Sequence, residues 1–427
     1  MVGARRVVAG ELSSLLRRRT ARALRSLLLV VLLGAGCADG DARTSSRATP
    51  PETAAPAVEA PVGASGVRLA LGTPEAPERV GPPEGHPLSR IDRDAGISAR
   101  LGDGSTVWFF GDTGERLSDG RLRFFEIGSA AWAPPGAPTI TRDHVVDGQV
   151  EHFATPTPEF PACPPEAPSA GMWPTAAVTD PQDPDRVIVW MANICLGSNR
   201  TAVPRGISVG EWRHDPTAPP VDRPIKVKVL EQNLFPDGMV GEAAFTLDGT
   251  VYLYGCDTAI SMEDADDPGS CRAARVDPAS VHDRGAHEAW TGDAWVRGAA
   301  PAELEMEPAA GGQSLPPGPL SVAGAPDGDG FVMLYSPWPG HVSSMEVRAA
   351  LSPEGPWSPP VRVDLPGCND HPGGQLYACY AANVQPDLST PGRLGFGYYD
   401  RFISGPPLWG SYVVSSIDLR LEPVEGR

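Results

Sequence analysis

Charge is scarce in this sequence and long apolar runs are missing from it. Only 21% of its 427 residues are charged, and the longest run of large apolar residues, 27–33, is far short of the roughly 20 needed to cross a bilayer. The short motifs of several common enzyme classes are also missing. No phosphate-binding Gly-rich loop, His-Glu-x-x-His zinc helix or dinucleotide fingerprint occurs, and no close Cys-x-x-Cys spacing offers a structural metal site. No cofactor is therefore expected. Gly206-Ile207-Ser208-Val209-Gly210 has the spelling of an esterase nucleophile elbow, but residues 211–216 break any helix where that elbow requires one, so the match is chance. Glu263, Asp264, Asp266 and Asp267 lack the ligand order of an EF-hand and read as a solvated acidic loop. What is abundant excludes long helices: 48 glycines and 48 prolines mark frequent turns, against helical bundles and doubly wound α/β enzymes.

The start of the chain reads as an export signal. Arg5, Arg6, Arg17, Arg18, Arg19, Arg22 and Arg25 precede the apolar run, and the small residues Gly34, Ala35 and Gly36 follow it. Leu33-Gly34-Ala35-Gly36-Cys37 resembles the lipobox of bacterial lipoproteins, with Gly34 departing from the usual order of small residues. The resemblance implies a signal peptide over 1–36 and a lipidated Cys37, so that the membrane contact is the lipid alone. Residues 37–65 hold almost no large apolar side chain and read as a flexible linker; residues 66–427 form the folded part. Removing residues 1–36 takes away seven arginines and one glutamate and leaves a net charge of −24. Such a chain repels phosphate backbones, so nucleic acid is not expected as a partner.

Apart from Cys37 there are six cysteines, an even number suited to an oxidising compartment. Neighbour pairing is expected, Cys163 with Cys195, Cys256 with Cys271 and Cys368 with Cys379, because each pair brackets a loop-like stretch beside an expected strand. Closing the middle loop contributes about 3 kcal/mol by chain entropy.

A strand approached by a polar turn recurs five times. Its first apolar positions are Val107, Val187, Val251, Phe331 and Leu394, which are 80, 64, 80 and 63 residues apart. Before each lies a run of small and apolar residues, at 95–99, 174–178, 242–245, 320–323 and 381–384. Small side chains suit strands crowded around an axis, and the aromatic strands that follow suit the space between packed sheets. The expected fold class is therefore all-β, a five-bladed β-propeller. A two-sheet sandwich or a pair of β domains is the competing reading.

Three passages carry a family resemblance. They are Asp94-Ala95-Gly96-Ile97-Ser98 leading to Phe110-Gly111-Asp112-Thr113; Ala274-Arg275-Val276 with Trp290-Thr291-Gly292-Asp293; and Ser352-Pro353-Glu354-Gly355-Pro356-Trp357. In pattern, residues 85–415 resemble bacterial five-bladed propeller families allied to furanose-cleaving glycoside hydrolases, some tied to arabinan or D-arabinan cleavage. That resemblance implies a polysaccharide or glycan partner and puts a catalytic base at Asp94. Glycoside hydrolysis needs a second carboxyl, and Glu242, at the start of the third first-strand run, is the candidate acid, although related families usually take it from a later blade. Asp112, Trp173 and His371 are candidate substrate contacts: Asp112 closes the Phe-Phe-Gly-Asp strand, Trp173 offers a stacking face or a plug for the channel, and His371 stands with Asn369 and Asp370 between Cys368 and Cys379. The competing function is a non-catalytic surface lipoprotein that binds glycan or protein with the same face.

Overall fold

A computed structural model describes residues 58–59, 65–117, 121–197, 202–218, 223–238, 240–257, 270–309, 317–337, 343–368, 379–400 and 410–424. The expected lipidation site Cys37, the acidic loop at 263–267 and His371 with its neighbours Asn369 and Asp370 lie outside these residues.

The described chain is all-β, with only three single-turn 3-10 segments. Five sheets of four or more strands follow one another, together with one small hairpin. Sheet I contains Ile91–Arg93 and Ile97–Arg100 on one side of Thr106–Arg116, with Leu122–Ala133 on the other. Sheet II runs Ser169–Asp180, Asp183–Leu196, Ala202–Arg213 and Lys228–Phe235. Sheet III begins with Ala243–Leu247, Thr250–Cys256 and Cys271–Val276, and sheet IV with Pro317–Gly324, Phe331–Pro337 and Ser344–Ala350. Sheet V orders Cys379–Val384, Arg393–Asp400 and Ser411–Pro423, and is completed by Val67–Leu71 and Val58–Glu59, the first two described strands. All these pairings are antiparallel, with Val67 opposite Pro423 and Leu71 opposite Leu419.

The second strand of each sheet is the aromatic run seen in the sequence. Val107, Trp108, Phe109 and Phe110 are all fully buried, because other sheets cover both faces and alternation with polar residues would strand those residues in the core. Between the first two strands of sheet III, Asp248-Gly249 is a two-residue hairpin loop in which both residues have positive φ, 48° and 77°. An Asp-Gly pair meets that demand at small steric cost. Ser208 sits fully buried inside a strand, donating to Asn193 Oδ1 at 2.7 Å, which is no setting for a nucleophile.

Five apolar clusters lie between the sheets: Phe109 with Val189 joins I to II, Trp190 with Leu253 joins II to III, Tyr254 with Met333 joins III to IV, Leu334 with Phe396 joins IV to V, and Trp108 with Tyr412 returns from V to I. Gly96 and Gly397 make that last junction possible, since a Cβ on either would come within 2.6 Å of the Tyr412 ring. Gln385, fully buried, closes the junction by donating to Gly96 O at 3.0 Å and to Tyr412 Oη at 2.8 Å, while accepting from Ser98 Oγ at 2.8 Å. The three disulfides are those expected, Cys163–Cys195, Cys256–Cys271 and Cys368–Cys379. Among the described residues no helix is long and apolar enough to cross a membrane.

Candidate active site

The first strand of sheet I is interrupted at Asp94-Ala95-Gly96, where Ala95 takes φ 48°. The register on Thr106–Arg116 is the same on both sides of the break, Arg93 opposite Thr113 and Ile97 opposite Phe109. The interruption therefore re-aims side chains without slipping the strand. Asp94 N–H donates to Asp112 O at 3.2 Å, and Gly111 N–H donates to Asp94 O at 2.8 Å. Gly111 also makes room for the Asp94 carboxyl: a Cβ there would lie 2.3 Å from Asp94 Oδ1. Arg93 fixes the strand from its other face, paired with the fully buried carboxylate of Asp143 and lying over the Phe110 ring at 4.7 Å.

Donors from the sheets on either side hold the two aspartates. Tyr380, at the start of sheet V, donates its hydroxyl to Asp94 Oδ2 at 2.6 Å. From sheet II, Trp173 donates Nε1–H to Asp112 Oδ1 at 2.7 Å. A third carboxylate, Asp92, accepts from Tyr399 at 2.9 Å, and the Tyr380 and Tyr399 rings pack with centroids 4.8 Å apart. Asp92, Asp94, Asp112, Trp173 and Tyr380 each retain a partly exposed surface, so the cluster borders solvent. No group of three or more His, Cys, Asp or Glu among the described residues is arranged to hold a metal ion.

Glu242 lies one sheet further on. Its neighbour Gly241 accepts from Thr175, two residues along the strand from Trp173, at 2.7 Å. Glu242 Oε2 accepts the backbone N–H of Cys256 at 3.1 Å, and Glu242 N–H bonds Tyr254 O at 2.8 Å. Asp94, Asp112 and Trp173 are thus brought into one hydrogen-bonded cluster. Glu242 precedes the first strand of the next sheet and is held by partners of its own.

Burial sets the electrostatics of all three carboxyls. Asp94 is pushed well above the usual carboxylate range by burial and then by the charge of Asp112, against the Tyr380 hydrogen bond. Burial raises Asp112 to about 6, opposed by the Trp173 N–H and helped by Asp92. The pair therefore keeps a proton to higher pH than either group would alone. Glu242 is raised to about 7 by burial, with the Cys256 N–H opposing. Burial thus raises all three carboxyls above the ordinary carboxylate range.

Asp92, Tyr380 and Tyr399 were not singled out in the sequence. Asp92 had a signal, since Asp92 and Asp94 follow the two-residue period of a strand. The tyrosines had none, because their partners are some 300 residues distant along the chain.

No family model and no curated protein sequence matches the chain. It shares its fold with a protein of Bacteroides ovatus ATCC 8483 described as a "putative hydrolase", at 15% identity and TM-score 0.55 over 84% of this chain and 93% of that one. Glycoside hydrolases are among the solved structures it is similar to. A family 117 glycoside hydrolase from Zobellia galactanivorans is similar at 12% identity and TM-score 0.44, over 81% of this chain and 90% of that one. An α-L-arabinofuranosidase from Clostridium thermocellum is similar at 10% identity and TM-score 0.38, over 73% and 82%.

Proposed function

We propose that this protein is a glycoside hydrolase acting on arabinan or a related furanoside glycan, built as a five-bladed β-propeller and held at the cell envelope through a lipidated Cys37. The observation that carries the reading is the abutting pair Asp94 and Asp112, clamped by Tyr380 and Trp173 from the two flanking sheets. The propeller reading is supported by five sheets, each packed on the next, with the fifth returning to the first.

In this mechanism Glu242, protonated near neutrality, gives its proton to the leaving oxygen as the glycosidic C–O bond breaks. The Asp94–Asp112 pair takes a proton from the water whose oxygen bonds to the anomeric carbon. The pair works as one base, its single ionised carboxyl taking the proton while the other stays protonated. We expect inversion, with Asp94 and Glu242 separated by about 6.5 to 9.5 Å so that a water fits between carboxylate and sugar. The test offers arabinan, arabinogalactan and aryl furanosides to the wild type, Asp94→Asn and Glu242→Gln. Each variant should lose roughly 10²- to 10⁴-fold in rate, and NMR should show the inverted anomer first. Membrane fractionation of Cys37→Ser tests the anchor; release of this variant alone is the expected result.

A rival reading, a non-catalytic module binding glycan or protein, draws support from the same cluster, since both aspartates already accept a hydrogen bond from within the protein. Wild type that binds one of these glycans by calorimetry and releases no reducing sugar decides for that reading.

A further inference from the structure

Phe125 is the only exposed Phe, Tyr or Trp among the described residues. It is 48% exposed, as is Leu122 beside it. Both belong to the strand Leu122–Ala133 of sheet I, at the end of the sheet that carries the aspartates. Asp92 lies directly opposite Gly114, and Gly114 directly opposite Phe125. Residues paired across antiparallel strands project to the same face, so Asp92, Gly114 and Phe125 share one. Neighbouring strands lie roughly 4.8 Å apart, which sets Phe125 about 10 Å from Asp92 across a lane that Gly114 leaves without a side chain.

A local irregularity builds the apolar surface. The register shifts by one residue between Glu115 and Arg116, making Arg123 an extra residue in its strand and turning Leu122 to the same face as Phe125. A Cβ on Gly114 would lie 3.4 Å from Leu122 Cδ2 and 3.8 Å from Phe125 Cδ2, so both side chains lean over the glycine. Trp173, an aromatic of the same cluster, has its N–H engaged by Asp112. An apolar shelf thus leans across Gly114 toward a carboxylate cluster, a combination suited to a sugar, whose C–H face seeks an apolar ring while its hydroxyls seek acceptors.

We infer that Phe125, with Leu122, is the stacking shelf for the sugar residue next to the one cleaved, which makes it a determinant of chain-length preference. The inference rests on the glycosidase reading above. Arabinotetraose and an aryl arabinofuranoside distinguish the two, because only the tetrasaccharide has a residue to lay on the shelf. Phe125→Ala should lower kcat/KM on arabinotetraose by roughly 3- to 10-fold more than on the aryl substrate, mainly through KM. Phe125→Trp should restore the preference, and matching thermal transitions establish that both variants fold. Equal losses on the two substrates, or no loss on the tetrasaccharide, overturn the shelf. If the wild type cleaves neither substrate, the glycosidase reading fails separately and calorimetry with arabinotetraose judges the shelf. Binding weakened by Phe125→Ala keeps it; unchanged or absent binding overturns it.

Discussion

Asp94 and Asp112 act as one titrating unit, and the residues touching them determine where it titrates. If the pair supplies the base and Glu242 the acid, activity follows a bell whose acid limb lies above the ordinary carboxylate range and whose alkaline limb lies near pH 7. Trp173→Phe removes a donor that favours the ionised form of Asp112, so the acid limb should move to higher pH in a kcat/KM profile. A limb that stays in place dissociates Trp173 from the chemistry. Glu242 also links stability to pH. Its folded-state pKa of about 7 lies above the ordinary 4.5, so the folded protein holds a proton there that the unfolded chain releases. The resulting stabilisation is complete below about pH 4.5 and is lost as pH rises through about 7. Thermal unfolding at pH 5 and pH 8 should therefore show a smaller drop for Glu242→Gln than for wild type.

Asp94, Glu242 and Tyr380 lie at strand ends, whereas Asp112, expected to close its strand, and Trp173 lie within strands that run on to Arg116 and Asp180. Cys256 ends the second strand of sheet III, gives its N–H to Glu242 and is tied to Cys271. Cys379 begins sheet V immediately before Tyr380. Two of the disulfides thus sit beside a group that touches a candidate catalytic carboxyl. Replacing Cys256 and Cys271 together by Ser should cost about 3 kcal/mol in denaturant unfolding. It should also raise the alkaline limb, because fraying of the last strand pair weakens the bond that favours ionised Glu242. Arg93, whose side chain is fully buried, is the corresponding anchor of sheet I. Arg93→Leu leaves Asp143 buried and unpaired and should destabilise the protein by about 3–5 kcal/mol, measured by urea unfolding.

At the scale of the whole molecule, the first and last long strands of the described residues meet in one sheet. Val67, Leu69 and Leu71 are fully buried and bridge the core between sheets IV and V. The closing strand is therefore core rather than trimming. Leu69→Ala should cost about 2–5 kcal/mol and lower the urea midpoint of a single transition, since every sheet leans on its two neighbours. Two separate transitions would show that the ring of sheets does not unfold as a unit.

Local chemistry was enough to place the repeated strands, their polar turns and the three disulfides. Apolar runs, Asp-Gly pairs and cysteines bracketing short loops act over tens of residues, and the described strands fall where those signals lie. The nature of Asp94 as a strand-start carboxyl was legible for the same reason. Only the tertiary structure decided which side chains meet it. Tyr380 is 286 residues from Asp94, Tyr399 is 307 from Asp92 and Trp173 is 61 from Asp112. These contacts depend on the packing of one sheet on the next, which no local pattern encodes. The raised pKa values arise in the same way, because desolvation is a property of the space around a carboxyl rather than of its neighbours along the chain.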